Sequence, residues 1–491
     1  MKNILPLVAV IVFTTSCVVS KNYNPAKKFS ASELQEDYTL FRNILEESHP
    51  GLYWYTPKDS IDYYFDYGAA QLKDSLPEYK FRNILSYVVA KFRCGHTSVR
   101  SSEGALRYAE TARSFALPFS VKTWPDTVAV TFNLNRKDSI VTRGVLLKSI
   151  EDRPIQTIVD SFFTYLAADG FNITHKYQTI SNGGTFRNMY GSVYGLRQKM
   201  KVGFVDTSGS IQTAMIDVYN PNADTPRSGP PVARLSKKER KKMALQSTRN
   251  LRIDTALHTA FMEISSFTKQ SKLRKFFKQS FKKMKKEKMQ NLVIDLRGNG
   301  GGSVVLSNLL TRYIADKPFK IADSIYAIKK KSSYHQYISN YFQNRLFLIF
   351  MTSRKGDGNY HFNYYENKYF KPRSKNHFKG QVYVLTGGNT FSAATLFAKT
   401  VREQKNVTIV GEETGGGAYG NTAWLIPEVT LPRTGVRFRL PLFRLVIDRN
   451  EQKGRGVMPE IESIPTLNAI RRNADFKMEK VLQLIKEKKL Y

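Results

Sequence analysis

Between Ser30 and Leu45 the apolar side chains Leu34, Tyr38, Phe41 and Leu45 recur every three or four positions, which predicts an amphipathic helix. Ser32 and Gln35 offer a capping-box pair for its start. Helical character continues through Phe81–Phe92, so residues 31–110 read as a helical N-terminal domain. From Phe115 to Val218 the period shortens. Val128-Ala129-Val130-Thr131-Phe132 and the run from Val145 to Ile150 read as strands between turn residues, giving a β-rich module over 111–220. Residues 221–248 hold Pro221, Pro226, Pro230 and Pro231, then Lys237-Lys238-Glu239-Arg240-Lys241-Lys242, and read as a basic linker or long loop.

From Asn250 strand and helix signals alternate, as in an α/β domain spanning 249–465. Ala260–Ile264, Asn291–Leu296, Gln381–Thr386 and Val407–Gly411 are the expected strands; helices are expected near 304–315 and from Ser392 to Arg402. Residues 268–289 place Leu273, Phe277, Phe281 and Met284 on one helical face and lysines on the other. This fits a helix covering the sheet, with a membrane-surface helix as the second reading. The interval 320–379, rich in tyrosine and lysine, is longer than a usual crossover and reads as an insertion, with Leu346–Met351 a core strand. Residues 466–491 read as a C-terminal helix.

Composition narrows the class. A chain of 491 residues with 41% hydrophobic and 24% charged residues is neither disordered nor a multispan membrane protein, and its length suits several domains. The net charge of +35 calls for an anionic neighbour. Cys17 and Cys94 are the only cysteines, too few for a disulfide framework or a four-cysteine metal site, and no metal or cofactor is implied. Lys2 followed by the apolar run Ile4–Phe13 has the form of a secretory signal, residues 1–16. Thr14-Thr15-Ser16-Cys17 resembles a lipoprotein box, with Cys17 lipidated and residues 17–30 a tether. Export with this charge favours a membrane-anchored lipoprotein of the bacterial envelope, periplasm-facing or at the cell surface. Nucleic acid is not expected as a partner.

Two strand–glycine–helix corners carry the candidate chemistry, because a helix N-terminus presents free N–H groups to an anion. The first is Arg297-Gly298-Asn299-Gly300-Gly301-Gly302-Ser303, which lacks the Lys-Ser/Thr ending of a phosphate loop. The second, Thr386–Ala394, puts Ser392 at a helix start, where it is either a cap or a nucleophile.

Asp295–Gly302, Thr390–Ala394, Val410–Gly417 and Gly454–Ile461, in that order, resemble the catalytic core and closing motif of the tail-specific and tricorn-type serine peptidases. Ser48-His49-Pro50-Gly51-Leu52-Tyr53 and Gly95-His96-Thr97 resemble the N-terminal segments of the lysine-independent branch. The resemblance covers most of 35–465 and implies a multidomain α+β architecture: a helical N-terminal domain, a PDZ-like module, and a crotonase-like/ClpP-like peptidase core. It implies that Ser392 is the nucleophile, that the amides of Ala393 and of Gly301 or Gly300 form the oxyanion hole, and that His96 is the general base. The lysine of the tail-specific branch has no counterpart, since Gly416-Gly417-Ala418 stands there. Gly95 precedes the histidine where the family has a serine, and Lys453 occupies the place of the orienting glutamate, leaving Glu451 and Thr97 as substitutes. His49 is expected to be structural, Asp295 to hold the glycine corner, and Cys94 to be a small buried residue. Gly144–Ile155 resembles the closing strands of a PDZ-like module, a peptide-tail binder or a spacer. The expected activity is hydrolysis of envelope or extracellular proteins through an acyl-enzyme; the rival is an inactive, peptidase-fold binding protein.

Overall fold

The computed structural model describes residues 23–112, 114–206, 208–222 and 235–488. The expected signal and the Cys17 lipid site lie outside the described residues. Among the described residues no helix is long and apolar enough to cross a membrane.

Helix α1 (Ala31–Ser48) packs with α2 (Lys58–Ala69) and α3 (Glu78–Lys91) around Leu34, Phe41, Phe65, Phe81 and Val88. The capping box that starts α1 is Ser30 with Glu33, not Ser32 with Gln35: Ser30 has the extended backbone an N-cap needs. These helices share their core with Val429, Leu431, Phe438 and Leu440 from late in the chain. Val99–Arg100 pairs with Arg437–Arg439, and the buried carboxylate of Asp37 accepts from Arg433 N–H, Thr434 N–H and Thr434 Oγ1. The segment carrying His96 is thereby tied to the far end of the chain.

The next unit is an antiparallel sheet in the order β1 (Phe119–Trp124), β2 (Thr127–Asn133), β3 (Leu146–Ile150), β4 (Lys199–Val205), β5 (Ile211–Asp217). Its helical content exceeds the sequence reading: α4 (Ile155–Phe163), α5 (Ile173–Ser181) and α6 (Thr185–Tyr194) lie between β3 and β4. The basic run expected as linker opens a helix, α7 (Lys237–Thr248), because Ser236 and Glu239 form a capping box.

The core is a six-stranded sheet in the order β6 (Arg249–Asp254), β7 (Thr259–Ile264), β8 (Asn291–Asp295), β9 (Gln381–Thr386), β10 (Val407–Gly411), β11 (Ile461–Glu462). All pairs are parallel except β6 with β7. Alternate strand residues face opposite layers, and both layers are covered, as a parallel sheet requires. On one face Met262, Ile294 and Val384 meet α8 (Leu273–Lys286), α9 (Val304–Thr311) and α11 (Ala393–Val401). On the other, Phe261, Val293 and Tyr383 meet α12 (Phe476–Lys488). Leu273, Phe277, Phe281 and Met284 of α8 are buried against the sheet, so its lysine-rich face is the solvent face of a covering helix and the membrane-surface reading fails. The segment 320–379 places Ser324–Ala327 against Phe443–Val446 in a second sheet. Leu346–Met351, expected as a core strand, is the end of helix α10 (Tyr341–Met351), of which only Leu348 is fully buried.

Candidate active site

The ends of β8, β9 and β10 open into three neighbouring corners, the place where parallel α/β sheets hold ligands. Asp295 holds the first: its carboxylate takes the Arg297 N–H at 3.0 Å and the Arg297 guanidinium at 2.6 Å. Arg297 also pairs with Asp475 before α12. Asn299 Nδ2 donates to Ile264 O at 2.9 Å, and the Asn299 carbonyl accepts from Phe391 N–H at 3.0 Å, joining the first corner to the second. Thr390 Oγ1 donates to Leu296 O at 2.8 Å, and the Thr390 carbonyl accepts from the third corner at Gly415 N–H, 2.9 Å.

This lattice fixes Ser392 at φ 53°, ψ −121°, a conformation that costs a non-glycine residue strain. Its side chain makes no cap hydrogen bond to α11, so the plain helix-cap reading does not hold. Gly301 lies so close that a Cβ there would sit 2.7 Å from Ser392 Cβ, at φ 98°. Ser392 faces a cavity of about 410 Å³ whose walls are mostly apolar: Val304, Leu396, Trp424, Leu425 and Ile447, with Tyr365 from the 320–379 segment.

The three expected oxyanion groups are placed differently. Ala393 lines the cavity at the N-terminus of α11. The Gly301 N–H donates to Asn299 Oδ1 at 2.9 Å and is occupied; Gly300 is exposed and outside the cavity wall. Gly302 also lines the cavity. It bridges Phe267 in parallel fashion, with the Gly301 carbonyl and Ser303 N–H both bonded to Phe267, so its own N–H faces away from that strand.

His96 is buried, its ring 4.7 Å from that of Phe391, the residue before Ser392. Among the described residues neither ring nitrogen has a hydrogen-bond partner. Burial, with Arg439 and His175 nearby, lowers its pKa to about 3. The acid beside it is one the sequence reading did not single out. Asp169 Oδ1 is 3.9 Å from His96 Nδ1, and the carboxylate accepts from Gly95 N–H at 2.8 Å and Gly417 N–H at 3.1 Å. Burial pushes Asp169 up to about 7 against the pull of those two donors. It stands in Ala168-Asp169-Gly170, which on sequence reads as a turn; nothing local marks it, and it reaches the site from the loop between α4 and α5.

Glu451, the expected substitute, is paired with Arg402 on the solvent side of α11, because its loop folds back onto that helix through Lys399 and Asp448. Glu403, Asp448 and Glu451 bring ligand atoms within 4.8 Å of one another, but Lys399 and Arg402 already neutralise them. Thr97 Oγ1 binds His49 Nε2 at 2.7 Å and Cys94 Sγ at 3.2 Å, and His49 Nδ1 accepts from Gly51 N–H at 3.2 Å. His49, Thr97 and Cys94 thus form a buried structural chain. Burial pushes the Cys94 thiol up to about 11 and His49 down to about 4. The closing motif braces the third corner: Gly456 N–H donates to Glu413 at 2.7 Å and the Gly454 carbonyl accepts from Phe171 N–H at 2.9 Å, two residues from Asp169.

Residues 258–463 match the model of peptidase family S41. Mature CPAF, in a structure complexed with lactacystin, shares the fold at a TM-score of 0.64 and 15% identity, over 93% of this chain and 98% of that chain. A crystal structure of mature CPAF gives 0.63 at 14% identity, with 93% and 98% covered. A photosystem II D1 C-terminal processing protease gives 0.41 at 12% identity, with 89% and 96% covered. No curated protein matches the chain.

Proposed function

Starting from a core that belongs to peptidase family S41, which makes this chain a serine-type peptidase, we propose an endopeptidase acting through an acyl-enzyme on envelope or extracellular proteins. The observation that carries the proposal is Ser392: a strained serine that caps nothing, at a helix N-terminus, facing an apolar cavity. Its Oγ attacks the peptide carbonyl while His96 takes the proton and returns it to the leaving amine; water then releases the acyl group by the reverse route. Burial keeps His96 neutral, the form that accepts a proton. Asp169 orients the imidazole and offsets the positive charge it gains. The N–H groups of Ala393 and Gly302 receive the developing oxyanion. Among the described residues both His96 nitrogens lack hydrogen-bond partners, which leaves the ring able to take the Ser392 proton.

The six-stranded antiparallel sheet, in which the short strand Arg153–Pro154 pairs with β3 just ahead of α4, supports a PDZ-like module at 111–220 that holds substrate tails by strand addition. The apolar N-terminal run and Cys17 support export and lipid anchoring at the envelope. The test is labelling by a serine-directed fluorophosphonate beside Ser392→Ala and His96→Ala, with folding checked by circular dichroism. Labelling lost in both variants sustains the assignment; labelling that survives in Ser392→Ala rejects it, and absent wild-type labelling favours a peptidase-fold binding protein.

A further inference from the structure

Helix α10 turns Phe347 and Leu348 inward, where Phe347 packs on Phe362 at 5.2 Å between ring centres. Its outer face carries Phe342, Leu346, Ile349 and Phe350, four large apolar side chains at positions that share one side of a helix. Phe342 is 67% exposed and Phe350 77%. Soluble proteins seldom leave such a stripe bare unless something covers it.

The charge around the stripe is one-sided. Residues 324–356 contain six Lys or Arg (329, 330, 331, 345, 354, 355) and no Asp or Glu. Arg345 is exposed beside the stripe, Lys331 and Arg354 are exposed, and Lys330 Nζ donates to Thr352 O at 3.0 Å at the helix end. The acids that reach this segment from elsewhere are engaged: Glu47 with Ser332 at 2.5 Å and Lys329 at 3.8 Å, Glu366 with Lys355 at 2.6 Å. An apolar helix face flanked by cations matches an anionic bilayer surface, where aromatic and aliphatic side chains enter the acyl boundary and lysine and arginine meet phosphates.

We propose that α10 is a membrane-docking helix, which seats Phe342, Leu346, Ile349 and Phe350 in the interface of an anionic bilayer with Arg345 and Lys331 on its headgroups. This contact is separate from the N-terminal segment and does not depend on chemistry at Ser392. The alternative occupant of the same face is a second copy of the chain.

The test uses the full chain with Cys17→Ser, carrying an environment-sensitive fluorophore at Phe350→Cys or, as control, at Ile211→Cys on the exposed strand β5. Vesicles are phosphatidylcholine alone or mixed with phosphatidylglycerol. The expected result is a blue shift at position 350 and none at 211, with partition roughly tenfold or more tighter on anionic vesicles, weakened by salt and lost in Phe342→Ser/Arg345→Glu. Unchanged fluorescence at 350 on anionic vesicles overturns the proposal. So does a shift at 350 that appears without lipid and grows with protein concentration, which assigns the face to a second copy.

Discussion

Ser392 pays for its exposure in backbone strain, and the surrounding corners hold it there. Gly301 is pressed against it and Gly416 lies behind it, where a Cβ would come 2.9 Å from Ser392 N. Gly301→Ala therefore forces the two corners apart, and labelling of Ser392 should fall by at least about tenfold while the secondary structure by circular dichroism stays unchanged. Asp169 supplies a sharper test. As the group that offsets the imidazolium, it acts when ionised, and its ionised fraction rises as pH passes through about 7. Activity should climb across that range in the wild type, and Asp169→Asn should lose that limb together with about 10²- to 10⁴-fold in kcat. His49 tests burial alone. Its folded pKa of about 4 lies below the ordinary value of 6.5, so at intermediate pH the unfolded chain binds a proton that the folded one refuses. Its contribution is intact above 6.5 and is lost as pH falls towards 4. Urea unfolding of His49→Gln should accordingly show a stability-versus-pH slope smaller by about one proton in that window.

Elements were legible where one periodic face meets one core. The sequence pattern placed β7, β8, β9 and β10 and the helix after Ser392 because buried parallel strands are short apolar runs and glycine corners mark their ends. It misread Leu346–Met351, since a short apolar run does not distinguish strand from helix, and an exposed apolar helix face defies the expectation of burial. It misread 237–242 because a run of lysines resembles a solvated loop, whereas Ser236 and Glu239 supply a helix start. The tie between α1 and the Arg433–Thr434 turn has no local signature at all. Asp37→Ala leaves the Arg433 and Thr434 donors without their acceptor, and should lower stability by about 2 to 3 kcal/mol in urea unfolding.

At the scale of the whole molecule, the proposed site draws on three parts of the chain. The core gives Ser392, Ala393 and Gly302, the helical N-terminal region gives His96, and the segment after α4 gives Asp169. Ser392 and His96 stand out in the sequence because each sits in a short, ordered string of residues. Asp169 does not, because Gly95, Gly417 and His96 converge on it only in space. Residues 249–488 alone should therefore keep the sheet yet fail to label. The serine–histidine–aspartate assignment is tested most directly by fluorophosphonate labelling of the full chain, with Asp169→Asn, His96→Ala and Ser392→Ala run in parallel across pH 6 to 9. Wild-type labelling should rise through about pH 7, with none in Ser392→Ala or His96→Ala and weak labelling without that rise in Asp169→Asn. Labelling of Asp169→Asn with the wild-type rate and pH profile would contradict that assignment.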